Sequence, residues 1–105
     1  MELALVSSVD AQGRGVLAAT GAVDIATRDD LLAAGRAILN DPELRGLALD
    51  LSEVGFIDSS GIGVLVELAG DAEDLERAFV IVRPSYRVTR ILDVSGLSDQ
   101  WPTEE

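Results

Sequence analysis

A mixed, mostly parallel α/β sheet opened by an N-terminal hairpin is the fold this sequence predicts, and three observations carry it. Short alternating apolar runs take turns along the chain with segments of helical periodicity. The first two apolar runs are separated only by the turn-forming Asp10-Ala11-Gln12-Gly13. Aromatic residues make up 4% of the chain, so the core must be built from Leu, Val, Ile and Ala, a composition that suits helices laid on a sheet. The expected order is β-β-α-β-α-β-α. Helical crossovers make the later strands parallel, with the helices packed mainly on one face.

Each element has its own signal. Leu3, Leu5 and Val6 open a strand, and Gly15 to Thr20 form the return strand of the hairpin. Gly21-Ala22-Val23-Asp24 leads to Thr27, which can cap a helix with Asp30 three residues on, a variant of the capping box. Leu31, Leu32, Gly35, Ile38 and Leu39 form that helix's inner stripe, and Asn40-Asp41-Pro42 ends it. Gly46 to Leu51 follow as a strand in which Leu47, Leu49 and Leu51 oppose Ala48, Asp50 and Ser52, so one face is better covered than the other. Val54, Phe56 and Ile57 form an apolar loop reaching Asp58. From Ser60 onward, Ile62, Leu65, Val66, Leu68 and Ala69 have helical spacing, and the acidic stretch Asp71 to Glu76 is its surface end or a following turn. Phe79 to Val82 are a buried strand. Pro84 suits the first position of a last helix with Val88, Ile91 and Leu92 inward and Gly96 as a left-handed terminator. Trp101 anchors the polar tail. No internal repeat or linker divides the chain, and at 105 residues and 48% hydrophobic content one domain over residues 1–105 is expected.

Composition narrows the function. Nineteen acidic residues face eight basic ones, all arginine, for a formal net charge of -11, a surface that repels nucleic-acid backbones and anionic membranes. The densest basic group, Arg83, Arg87 and Arg90, reads as a solvated helix face. The chain has no Cys, His or Lys, which removes thiolate chemistry, the commonest metal ligand and the usual general bases. Ser59 and Ser60 therefore have only a carboxylate to turn to as base for nucleophilic catalysis, and neither a G-x-S-x-G elbow nor a phosphate-binding G-x-x-x-x-G-K-[ST] loop is present. A phospho-aspartate receiver with Asp58 as acceptor lacks the acidic cluster that would hold a metal. No catalytic residue, metal or cofactor site is expected. Apolar runs fall far short of the ~20 residues of a membrane span, so neither membrane insertion nor nucleic-acid binding is expected and the default location is cytoplasmic.

Attention falls on Asp58-Ser59-Ser60-Gly61, where a strand region hands over to a helix. Unpaired backbone N–H groups and the positive end of the helix dipole are expected to meet there, a geometry that welcomes an anion. Gly61 and Gly63 allow close approach to the backbone. Ser60, nearest the periodic run, reads as the structural N-cap ahead of a direct partner contact. Asp58 reads equally as a turn former or as the group that orients the serine hydroxyl.

The longer run Asp50-Leu51-Ser52 … Phe56-Ile57-Asp58-Ser59-Ser60-Gly61-Ile62-Gly63-Val64-Leu65 resembles the signature of anti-sigma factor antagonists of the STAS domain family. Gly21-Ala22-Val23-Asp24 resembles the family's glycine-acidic-leucine-aspartate loop. Pro84-Ser85 through Ile91-Leu92 to Ser95-Gly96-Leu97 resembles its last helix and closing S-G-L. The resemblance implies a STAS-like domain working as a partner switch. Ser59 would be phosphorylated by a partner that is both a serine protein kinase and an anti-sigma factor, with ATP supplied through that kinase. The unphosphorylated form would bind the kinase and free its sigma factor, and a phosphatase would restore Ser59. Asp24, Asp58, Ser60, Gly61 and Ile62 would form the partner-binding surface, with a solvated loop acid as the plain alternative for Asp24. A standalone STAS subunit of a transporter complex, or a signalling scaffold, is the other role the resemblance allows.

Three departures accompany it. Ala22 stands where relatives commonly carry an acidic residue that helps contact the kinase, Glu76-Arg77 stands where a glycine pair often precedes the fourth strand, and the sequence ends soon after Trp101 where relatives usually continue into a final helix.

Overall fold

The computed structural model describes residues 2–105. Strands β1 (Leu3–Val9) and β2 (Gly15–Val23) form the expected antiparallel hairpin, registered from Leu3 opposite Gly21 to Val9 opposite Gly15. The Asp10 carboxylate holds the turn by accepting from the Gln12 and Arg14 amides at 3.0 and 2.9 Å. Gly13 takes the left-handed position at φ 80° that such a turn needs.

The chain then runs through α1 (Arg28–Leu39), β3 (Gly46–Ile57), α2 (Ser59–Asp74), β4 (Ala78–Val82), α3 (Tyr86–Val94) and β5 (Thr103–Glu104). The sheet order is β1-β2-β3-β4-β5, parallel after the hairpin, so the mixed α/β class expected from the sequence holds. The terminal strand β5 was not among the expected elements. It is two residues long, too short for a periodic signal. Trp101 packing edge-on against Phe79, with ring centroids 6.0 Å apart, brings it beside β4, where the Ile81 amide donates to the Pro102 carbonyl at 3.0 Å.

Strand β3 is longer than its alternation indicates: Val54 to Ile57, expected as a loop, continue the strand. Its first half lies between β2 and β4, ending at Asp50 opposite Val82. Its second half follows β2 alone to Ile57 opposite Val23, with register shifts between Ala18 and Thr20 and between Gly21 and Ala22. Ser85 occupies the other side of this half, its amide donating to the Leu51 carbonyl at 3.1 Å and its hydroxyl to the Val54 carbonyl at 2.6 Å. Ser85 also caps α3, accepting from the Val88 amide at 3.3 Å. Pro84 is therefore not the first residue of that helix, as expected from its fixed φ. It sits before the cap, and the helix begins at Tyr86.

Leu47, Leu49 and Leu51 point into one cluster with Leu31 and Leu39 of α1, Leu65 and Leu68 of α2, and Val88 and Leu92 of α3. All three helices thus share a face of the sheet. Burying each such leucine stabilises the fold by about 1.5–3 kcal/mol. The alternate residues Ala48 and Val80 are buried outside this cluster, on the opposite face. Asp50, 6% exposed, shares that face and is satisfied by the Ser52 amide and hydroxyl at 3.0 and 2.8 Å and by an ion pair with Arg83. This pairing gives the Asp-Leu-Ser run a structural role. Arg14 bonds both Asp10 and Glu104, at 2.7 and 2.8 Å, tying β5 back to the hairpin.

Candidate functional site

Strand β3 ends at Ile57 and α2 begins at Ser59, so Asp58 alone connects them. Its backbone is extended at φ -123°, ψ -167°, and its amide donates to the Val23 carbonyl at 3.4 Å. Oδ1 of Asp58 accepts from the Ser60 amide at 2.9 Å, the Gly61 amide at 3.4 Å and the Ser60 hydroxyl at 2.5 Å. Asp58, not Ser60, is therefore the N-cap of α2. Both residue types cap well, and the end of the strand at Ile57 decides between them. The amides of Gly61 and Ile62 also donate to the Asp58 carbonyl, at 3.0 and 3.1 Å. The helix terminus expected to offer unpaired donors to an anion already spends those of Ser60, Gly61 and Ile62 on Asp58. The bond from the Ser60 hydroxyl, joined by the Ser60 and Gly61 amides, outweighs burial and holds the Asp58 carboxyl below its ordinary 3.8.

The two serines are thereby separated. Ser60 is half-buried with its hydroxyl engaged, while the Ser59 side chain is exposed and takes no part in the capping set. Gly61 is buried: a Cβ there would lie 2.6 Å from Ile57 Cγ1 and 2.9 Å from Val23 Cγ1. Its missing side chain lets α2 close on the sheet and does not open a path for a partner. Gly63 is the open position, with nothing within 4 Å of a built Cβ. Ile62 is half-buried against the core.

Asp24 lies in the neighbouring loop between β2 and α1. Oδ1 of Asp24 accepts from the Ala26 and Thr27 amides at 2.9 and 3.1 Å, so its carboxylate serves its own turn. Thr27 occupies the N-cap position of α1 but makes no capping bond with its side chain, contrary to the capping-box expectation. Its buried hydroxyl instead donates to the Ala22 carbonyl at 2.8 Å and accepts from the Asp24 amide at 3.0 Å. Ala22, at the departure from the acidic pattern, is buried on β2.

Arg28, the first residue of α1, links that helix to α2. Its Nε donates to the Ser60 carbonyl at 3.5 Å, and its Nη1 and Nη2 reach Asp29 and Glu67 at 2.9 and 2.7 Å. Sequence reasoning did not single out Arg28 or the exposed Ile25, because neither belongs to a motif or a periodic run. Glu76, in the place of the relatives' glycine, takes φ 55°, the left-handed conformation a glycine adopts freely. Among the described residues no cluster of His, Cys, Asp and Glu could hold a metal ion, and no helix is long and apolar enough to cross a membrane.

Comparison with known proteins agrees with this architecture. The chain is 36% identical over 53 residues to the anti-sigma-B factor antagonists of Listeria monocytogenes and Listeria innocua, a match covering 50% of this chain and 46% of each relative. The match thus spans about half the length of these curated relatives. A crystal structure of an anti-sigma factor antagonist from Mycobacterium paratuberculosis superposes with a TM-score of 0.81 at 28% identity, covering 98% of this chain and 86% of that one. The anti-sigma factor antagonist SpoIIAA in its unphosphorylated form superposes with a TM-score of 0.79 at 19% identity, covering 97% and 88%, a likeness of fold. The family model described as Mlab, STAS domain matches residues 7–102, and the chain belongs to the STAS domain family.

Proposed function

We propose that this protein is an anti-sigma factor antagonist that works by phosphorylation-controlled partner switching at Ser59. The observation that carries the reading is the division of labour in the α2 turn. Asp58 and Ser60 occupy each other, while Ser59 stands exposed two residues past the strand end, where a kinase can reach it without dismantling the cap. Similarity to the Listeria anti-sigma-B factor antagonists supports the class of partner.

The switch follows from charge. A phosphate on Ser59 adds about -1.5 to -2 units beside the ionised Asp58, on a chain already at -11. The first turn of a helix tolerates an anion, so the fold persists. A partner surface packed closely on the unmodified turn meets a bulky, hydrated dianion and is repelled if acidic. The unphosphorylated protein binds an anti-sigma factor that is also a serine protein kinase, the kinase brings ATP, and a phosphatase restores Ser59. The chain supplies no catalytic group and acts in the cytoplasm, away from nucleic acid.

The test is a binding titration against candidate serine kinase/anti-sigma factors. Ser59→Ala should bind as the wild type does, and Ser59→Glu should lose binding. Equal binding by both, or capture of a transporter ATPase with no kinase, overturns the reading.

A further inference from the structure

Val23 and Ile57 are partners across β2 and β3, and the Asp58 amide donates to the Val23 carbonyl, so the loops that follow leave the sheet side by side. Ser59, the first residue of α2, stands two residues beyond Ile57, and Ile25, in the loop before α1, stands two residues beyond Val23. At the starts of the two helices that follow, Arg28 of α1 approaches the Ser60 carbonyl of α2 at 3.5 Å and pairs with Glu67 of α2 at 2.7 Å.

Ile25 is 78% exposed, the highest value among the exposed large apolar side chains of the described residues. The turn that presents it is fixed. Asp24 accepts from the Ala26 and Thr27 amides, and the buried Thr27 hydroxyl bridges the Ala22 carbonyl and the Asp24 amide. The Asp24, Ala26 and Thr27 amides are thus satisfied inside the loop, and the large apolar side chain it turns outward is Ile25. A preordered apolar side chain of this kind loses little entropy on docking. An isolated exposed isoleucine needs no explanation on its own, but this one sits on a rigid turn beside the switch serine.

We infer that Ile25 is the apolar anchor of the partner-binding surface, seated in an apolar pocket of the serine kinase/anti-sigma factor when Ser59 is unmodified. The inference rests on the partner-switching reading. With Ala22 buried and Oδ1 of Asp24 bonded within its own turn, the apolar burial of Ile25 is what this corner adds to partner recognition.

The experiment compares dissociation constants of the full chain and its variants for the kinase that phosphorylates it. Burial of an isoleucine predicts that Ile25→Ser weakens binding by about ten- to hundred-fold. Ile25→Leu should stay within about three-fold, and melting temperatures should not change. Because the contact is apolar, the ratio of Ile25→Ser to wild type should be the same in low and high salt, whereas a charge contact would be screened. Binding of Ile25→Ser within about two-fold of wild type, alongside loss of binding by Ser59→Glu, overturns the anchor and leaves the switch standing. Wild-type binding by Ser59→Glu overturns the switch and the anchor with it.

Discussion

The hydroxyl of Ser60 donates to Oδ1 of Asp58 across 2.5 Å, and the same oxygen accepts the Ser60 amide at 2.9 Å, closing a small ring over the first turn of α2. Two adjacent serines consequently have opposite surroundings, one tied into the cap and the other exposed. Asp58→Ala leaves the Ser60 and Gly61 amides without their side-chain acceptor. We expect a loss of about 1 kcal/mol of stability from the missing cap, or about 4–8 °C in Tm for a domain of this size. Ser60→Ala removes only the hydroxyl bond and should cost less. Thermal melts that reverse this order contradict the assignment of Asp58 as the cap.

Ser59→Glu should barely move the melting temperature, because the cap does not use Ser59 and the start of a helix tolerates negative charge. A fall as large as that of Asp58→Ala would mean that the switch acts by unfolding instead of by loss of docking.

Acid should weaken the cap with a definite sign. Asp58 is held below its ordinary 3.8, so the unfolded chain binds the proton more tightly than the folded one. The stabilisation is complete above about pH 4 and is lost as pH falls through the folded value. Relief of repulsion on a chain of charge -11 acts in the opposite direction, so the useful quantity is the difference between wild type and Asp58→Asn. Denaturant melts should show that difference shrinking below about pH 4. Asp50 has the same sign: burial pushes it up, but bonds from the Ser52 amide, Arg83 and the Ser52 hydroxyl outweigh that and hold it low. A difference that stays constant or grows on acidification contradicts the capping geometry.

Glu76 ends α2 at φ 55°, a conformation that costs an L-residue about 1–2 kcal/mol relative to glycine. Its side chain is exposed, so little packing is lost on replacement. Glu76→Gly should stabilise the protein by about 1 kcal/mol after the extra freedom of the unfolded glycine is counted. Chemical denaturation showing a loss instead would mean that Glu76 is held by an interaction outweighing its strain.

Gly61→Ala tests the fit between α2 and the sheet. The added methyl meets Ile57 and Val23 inside 3 Å, so overpacking should cost about 1–3 kcal/mol. Gly63→Ala meets nothing and should be neutral or stabilising. Equal effects of the two would show that α2 does not sit as closely on Val23 and Ile57 as described.

Much of the architecture was legible because periodicity reports burial directly. Leu47, Leu49 and Leu51 alternate and all enter the core, and the hairpin turn at Asp10 to Gly13 forms as its residue types require. The second half of β3 was not legible, since Ser52, Glu53 and Gly55 break its alternation and pairing with β2 through two register shifts makes it a strand. Ser59 was marked by its motif. The identity of the cap was not, because Asp58, Ser59 and Ser60 are all residue types that cap, and only the end of the strand chooses among them. Ile25 and Arg28 carry no signal in the sequence, because the exposure of one side chain and the reach of the other depend on which segments the sheet brings together.

The most direct measurement is to incubate the full chain with candidate serine kinase/anti-sigma factors and ATP and to locate the phosphate by mass spectrometry. The account predicts a single phosphate on Ser59, lost in Ser59→Ala and unaffected in Ser60→Ala. Phosphate on Ser60, or none with any candidate, contradicts it.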